Sequence, residues 1–262
     1  MFHSIFDTHC HYLDDAFMED RAEVLKKLPS MGVSLATLAG TNLDDSIAGV
    51  NLAAQYPWLY TSVGIHPEFA GSEPADYLER LASLAKNPKV RAIGEIGLDY
   101  HYPGYDKIEQ YRLFQQQLEL AKDLGLPVMI HARDCTQDYL DILKYYQPKG
   151  VVHCFSSSAE TAQEVLKLGM YIGFTGVLTF KNAKKALRAL EVVPMDKLVL
   201  ETDCPYMAPV PFRGKRCDSS MIAYTAQAAA MIKGIDTQTM LLQTKENGMR
   251  LYAIDRISGI ER

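Results

Sequence analysis

Short apolar runs alternate with longer stretches of mixed apolar and charged residues at helical spacing, from Ile5 to Tyr252. The first run, Ile5-Phe6, predicts a buried strand that ends in Asp7-Thr8-His9-Cys10-His11. Asp14 to Met31 reads as a helix closed by Gly32, and Val33 to Ala39 as a second strand. Asn42 or Asp44 can cap a helix that runs to Gln55, before a third strand over Leu59 to Ile65. Pro74 to Ala85 is helical, and Val90 to Ile96 is a fourth strand. A long amphipathic helix spans Lys107 to Leu124 and is stopped by Gly125 and Pro127. Val128 to His131 forms a fifth strand running on through Arg133, then a helix covers Gln137 to Tyr146. Val151 to Phe155 is a sixth strand, Ser158 starts a helix through Leu168, and Tyr171 to Thr175 is a seventh strand. Lys181 to Leu190 is helical, Leu198 to Asp203 is the eighth strand, and helices near Ser220 to Lys233 and Thr237 to Tyr252 close the chain.

Strands alternating with helices, with no linker or shift in composition, argue for a parallel sheet. Eight strands in 262 residues match a (β/α)₈ TIM barrel, which needs about 250 residues, so residues 1–262 read as one barrel domain. A doubly wound open sheet is the competing architecture, although no glycine-rich dinucleotide fingerprint follows the first strand. Hydrophobic residues make up 48% of the chain, enough for a sizeable core, and no apolar run approaches the roughly 18 residues that span a bilayer. The N-terminus lacks a basic region and a cleavage site. The five cysteines are scattered without a C-x-x-C pair, which predicts reduced thiols and a cytoplasmic protein. A net charge of -5 excludes broad coating of nucleic acid, so an anionic substrate must be held locally.

The candidate chemistry lies at the strand ends. Side chains alternate along a strand, so His9 and His11 point one way and Cys10 the other. Two imidazoles converging from one strand make half of a metal site. His66, Glu95, His131 with Arg133, His153 and Asp203 also fall at C-terminal strand ends, which in a barrel meet at one mouth. Only His3 and His101 of the seven histidines lie elsewhere. Such a density of buried ionisable groups demands compensation, and a metal cluster supplies it. His9, His11 and Asp203 can share one ion and His131 with His153 a second, while the two oxygens of Glu95 bridge them. These nitrogen and oxygen ligands suit Zn²⁺, Mn²⁺ or Fe²⁺, with Mg²⁺ less well matched to several imidazoles. A water on such a site becomes hydroxide near neutral pH, with Asp203 placed to take or relay its proton. Cys10, Cys154 and Cys204 each neighbour one of these residues, and alternation predicts that all three pack behind the site.

The motifs Asp7-Thr8-His9-Cys10-His11, Gly64-Ile65-His66-Pro67, Gly94-Glu95-Ile96-Gly97-Leu98-Asp99-Tyr100, Ile130-His131-Ala132-Arg133, Val152-His153-Cys154-Phe155 and Glu201-Thr202-Asp203-Cys204-Pro205-Tyr206 together resemble the TatD family of metal-dependent deoxyribonucleases. The resemblance implies a barrel of the amidohydrolase superfamily and phosphodiester hydrolysis with two divalent metals, of the 3′–5′ exonuclease type. It implies one ion on His9, His11, Glu95 and Asp203, the other on Glu95, His131 and His153, and phosphate contacts from His66 and Arg133. The catalytic assignments are Asp203 and Glu95, and the expected partner is the end of single-stranded DNA or another nucleic acid, with no membrane and no obligate protein partner. The loop after the eighth strand departs from the family, with Phe212 before Arg213-Gly214-Lys215-Arg216 and Cys217-Asp218-Ser219 after it. Arg213, Lys215 and Arg216 remain the chain's best phosphate-facing cluster. The rival functions are hydrolysis of small amides, lactones or esters on the same metals, and a non-catalytic binding barrel. Against the first rival, Glu95 occupies the strand-four position where many amidohydrolases carry a carbamylated lysine, and the nearby Lys89 precedes that strand.

Overall fold

The structure, a computed structural model, describes residues 2–254; the outer residues of the 1–262 domain reading, 1 and 255–262, lie outside it. The strands are β1 (Ile5–Cys10), β2 (Val33–Leu38), β3 (Leu59–Val63), β4 (Val90–Asp99), β5 (Val128–Arg133), β6 (Gly150–Val152), β7 (Tyr171–Phe174) and β8 (Leu198–Leu200). Between them run α1 (Arg21–Lys27), α2 (Leu43–Ala53), α3 (Tyr77–Leu84), α4 (Lys107–Leu124), α5 (Thr136–Tyr146), α6 (Ala159–Lys167) and α7 (Lys184–Val192), with α8 (Ile222–Lys233) and α9 (Thr237–Leu251) after β8. Among the described residues no helix is long and apolar enough to cross a membrane.

Each strand pairs in parallel with the next in sequence, in the order β1 to β8. The last strand then returns to the first. The Asp203 N–H donates to His9 O at 3.0 Å, and the His11 N–H to Cys204 O at 2.9 Å. A doubly wound sheet would leave two unpaired edges, so these bonds decide for the (β/α)₈ barrel. Seven strands each bury one apolar side chain in its interior, Phe6, Leu35, Tyr60, Ala92, Met129, Val151 and Val199, and Tyr171 of β7 packs against them partly buried. Leu251, Tyr252 and Ile254 belong to the same cluster. The larger apolar cluster contains buried side chains of both strands and helices.

The seam between β1 and β8 carries a buried polar bracket. Asp7 Oδ1 accepts the Thr202 N–H at 2.9 Å and the His9 N–H at 3.3 Å. Its Oδ2 accepts the Thr202 and Ser219 hydroxyls, both at 2.6 Å. Burial pushes this carboxyl up to about 7, against four hydrogen bonds that favour its ionised form. Asp7→Ala would strand several buried donors, each costing about 1–3 kcal/mol when left unpaired. A net loss of about 3 kcal/mol is expected, read as a fall of about 6–12 °C in the melting temperature of the metal-free protein. An unchanged melt would show that the bracket contributes nothing.

Four elements differ from the sequence reading. The helix expected over Asp14 to Met31 breaks into a 3₁₀ turn, α1 and a second 3₁₀ turn over Leu28–Met31. Pro29 has no N–H to give a continuing α-helix, and Asp14 starts its own turn by accepting the Ala16 N–H. β4 runs on to Asp99, pairing Asp99 with Arg133 of β5. β6 and β8 stop early, so His153 and Asp203 sit just beyond strand ends rather than within strands.

Candidate metal centre

Glu95 is the centre of the barrel mouth. It lies on β4, 3% exposed, and its two oxygens face different groups. Oε2 is 3.3 Å from His9 Nε2 and 3.7 Å from His11 Nε2. Oε1 is 2.7 Å from His153 Nε2 and 2.9 Å from His131 Nδ1. Asp203 Oδ1 completes the first group, 3.2 Å from His11 Nε2 and 3.6 Å from His9 Nε2. The Nε2 atoms of His9 and His11 are 2.9 Å apart. The His9 and His153 rings stack at 3.9 Å between centroids, which ties the two groups together.

Local backbone explains how short strands reach this point. Asp203 adopts φ 59 and Cys154 φ 44, both in the left-handed region that turns the chain out of extended geometry. Asp203 is fixed there by its N–H to His9 O and by the Tyr206 N–H on its own carbonyl. Strained conformations of this kind cluster at functional sites.

The electrostatics suit cations. Burial alone would raise the Glu95 carboxyl, but the surrounding His153, His9 and His66 hold it well below the usual range. Burial likewise opposes ionisation of Asp203, and its hydrogen bond to His11 with the neighbouring imidazoles lowers it. Burial works against a charged His11, while the bond to Asp203 lifts it to about 9. Burial and the adjacent His131 push His66 down to about 3, so that ring stays neutral. Among the described residues, the ion-pair partners of Glu95 and Asp203 are all histidines. Donor atoms of His9, His11 and Asp203 lie within 4.8 Å of one another, as do those of His9, Glu95 and His153. Mixed imidazole and carboxylate donors without thiolate, converging on two sides of one carboxylate, fit divalent ions.

The six residues expected as ligands are therefore together. His66 lines the same cavity of about 960 Å³, its ring edge against His131 and its Nε2 3.7 Å from Glu95 Oε1. Arg133 is exposed at the rim, with its guanidinium 5.2 Å over the Tyr102 ring. The loop cluster is not brought to the cavity wall. Arg213 lies over Phe180, and Arg216 binds both carboxylate oxygens of Asp20 at 2.8 and 2.6 Å. Arg216 thus ties the last loop to the first, and its charge is already matched.

Two corrections concern neighbours of the cluster. Cys10 and Cys204 are fully buried behind the site, but Cys154 borders the mouth because β6 has ended and alternation no longer applies. Asp99, given no place among the expected site residues, ends β4 and places Oδ2 2.9 Å from His131 Nε2. The signal was present in the sequence, since Glu95 and Asp99 are four apart and share a face once β4 is long enough. Gly97 between them has φ 147, and a Cβ there would meet His131 O at 1.9 Å, so the close strand approach needs glycine.

Comparison with known proteins agrees with this geometry. Residues 6–253 match the family model for TatD related DNase. The chain is 37% identical to the Bacillus subtilis protein YabD, an uncharacterized metal-dependent hydrolase, over 96% of this chain and all of that one. It is 33% identical to the 3′-5′ ssDNA/RNA exonuclease TatD of Erwinia tasmaniensis, over 95% of this chain and 99% of that one. Among solved structures, the TatD homologue YJJV from Escherichia coli superposes with a TM-score of 0.91 at 28% identity, covering 97% of this chain and 100% of that one. A match running from β1 through α9, on a barrel that gathers histidines and carboxylates at one mouth, means that this chain belongs to the TatD-related DNase family of metal-dependent hydrolases.

Proposed function

We propose that the chain removes nucleotides from the ends of single-stranded DNA or RNA, in the 3′–5′ direction, with two divalent ions bound at the mouth. The observation that carries this reading is the division of Glu95, with Oε2 turned to His9 and His11 and Oε1 to His131 and His153. Divalent ions bound there would polarise phosphoryl oxygens and make water acidic enough to attack near neutral pH. His9, His11, Glu95 and Asp203 would hold one, and Glu95, His131 and His153 the other. The ionised Asp203 carboxylate accepts the proton that the attacking water gives up. Neutral His66 accepts the Glu68 N–H at Nδ1, which leaves its Nε2–H to donate to a phosphate oxygen. Arg133, spread on Tyr102, offers a guanidinium to the next phosphate, and the free face of the Tyr102 ring offers a stacking surface to a base.

The rim favours ends over long strands. Asp14, Asp15, Asp45 and Glu68 line the cavity beside Arg133, so a long polyanion would be repelled around most of the opening. Log affinity against log salt for a short oligonucleotide should therefore fall with a slope on the order of -1 to -3, at about -0.7 per phosphate held. Arg213 and Lys215 would touch only the strand leaving the mouth. Changing both to Ala should flatten the slope by at most about 1.4 and raise KM, with a minimal phosphodiester cleaved at the parental rate. Equal slopes in a KM series across salt would remove the loop from substrate binding.

The same acidic rim favours a second reading, a hydrolase of small neutral esters, lactones or amides. The deciding experiment reconstitutes the metal-free protein with Mn²⁺ or Zn²⁺ and screens 5′- and 3′-labelled oligonucleotides beside small esters and lactones. EDTA-sensitive, stepwise shortening from the 3′ end is expected. Turnover confined to the small esters would replace the nuclease reading with the second one.

A further inference from the structure

Glu201 has no role in the chemistry above, yet it is fully buried inside the barrel. One oxygen, Oε1, accepts the Cys154 N–H and lies 3.6 Å from His153 Nδ1. The other oxygen and His153 Nδ1 itself have no hydrogen-bond partner among the described residues. An ionisable group kept in such surroundings is costly unless something uses it.

The fold makes room for it deliberately. At the level of Glu201 β7 carries no side chain, although its Tyr171, two residues earlier, packs partly buried against the interior cluster. Gly173 of β7 stands there instead, and a Cβ on it would meet Glu201 Oε2 at 2.5 Å. The carboxylate fills the space that a β7 side chain would take.

On resting this step on the proposed metal centre, the geometry points to Glu201 as a positioning residue for His153. His153 turns Nε2 towards Glu95 Oε1 at 2.7 Å, and Nδ1 faces the opposite side. An imidazole that gives one nitrogen's lone pair to an ion must carry its proton on the other nitrogen. That N–H needs an acceptor, which fixes both the tautomer and the ring plane. Glu201 Oε1 is the carboxylate oxygen on that side, just outside hydrogen-bond range. Asp99 stands behind His131 in the same way, so the two imidazoles within 3 Å of Glu95 Oε1 are each backed by a carboxylate. A purely structural Glu201 would only anchor the Cys154 N–H at its left-handed turn.

Glu201→Gln separates the two roles, because its amide keeps an oxygen for the Cys154 N–H and removes the charge behind His153. Gly173→Ala is the second variant, since it displaces the carboxylate without altering Glu201. Metal-free protein is titrated with Zn²⁺ against a competing chelator, and the His153 ring is followed by ¹⁵N-edited NMR in the zinc-loaded form. Each variant should weaken the ion at His131 and His153 by about 10–100-fold and spare the ion at His9 and His11. The double variant should be no worse than the weaker single one. The His153 Nδ1 proton should resonate far downfield in the parent and move upfield in Glu201→Gln. Parental affinity and an unmoved proton in both variants would overturn the inference and leave the metal centre standing. A parent that binds no ion through His153 would overturn the metal centre and this inference together.

Discussion

Glu95→Ala is expected to reduce the bound divalent ions from the proposed two to none and to abolish hydrolysis. Both oxygens of this carboxylate are engaged, one towards each pair of imidazoles. Its removal leaves His131 and His153 without a negative ligand and the first group with Asp203 alone. Neutral imidazoles by themselves do not offset the charge of two ions in a buried mouth. Glu95→Gln, which keeps one neutral oxygen on the same frame, should retain weak binding of one ion. Metal analysis after dialysis against Mn²⁺ or Zn²⁺, with thermal melts to confirm folding, gives the stoichiometry. Two ions on Glu95→Ala would show that the bridge lies elsewhere.

Asp203→Asn should bind both ions at saturating metal and turn over about 10²–10⁴-fold more slowly. Asparagine is among the residues that tolerate the left-handed backbone found here at φ 59, so the turn after β8 survives. The amide oxygen can still face His11, 3.2 Å away in the parent. An amide cannot accept a proton at neutral pH, so the loss should appear in kcat with KM little changed. A kcat close to the parent's, measured with metal in excess, would take proton transfer away from Asp203.

The candidate ligand residues were legible because they stand on the two simplest periodicities. His9 and His11 share a strand face, Glu95 lies on an apolar strand, and His131, His153 and Asp203 each follow an apolar run at the point where the run ends. Arg216 shows the opposite case. Beside Arg213 and Lys215 it reads as part of a free basic cluster, whereas its partner Asp20 is 196 residues away. Glu201 sits in the run Leu198 to Asp203, where alternation gives its face but nothing tells that Gly173 leaves the opposing space open. Asp7 precedes His9 by two residues, and its partners Thr202 and Ser219 lie near the far end of the chain.

The sequence by itself determined the order of strands and helices, the eight-stranded count and the residues that arrive at the mouth. Those properties depend on apolar spacing, caps and strand ends, which are set within a few residues. Only the tertiary structure decided which oxygen of Glu95 faces which imidazole, which cation is already paired and which carboxylate stands behind a histidine. Each of these depends on β8 closing onto β1, a contact between residues nearly 200 apart, as the Asp7 and Thr202 pair separated by 195 positions shows. Hydrogen bonds and charge pairs act only within a few ångströms, so they come into being when the barrel closes.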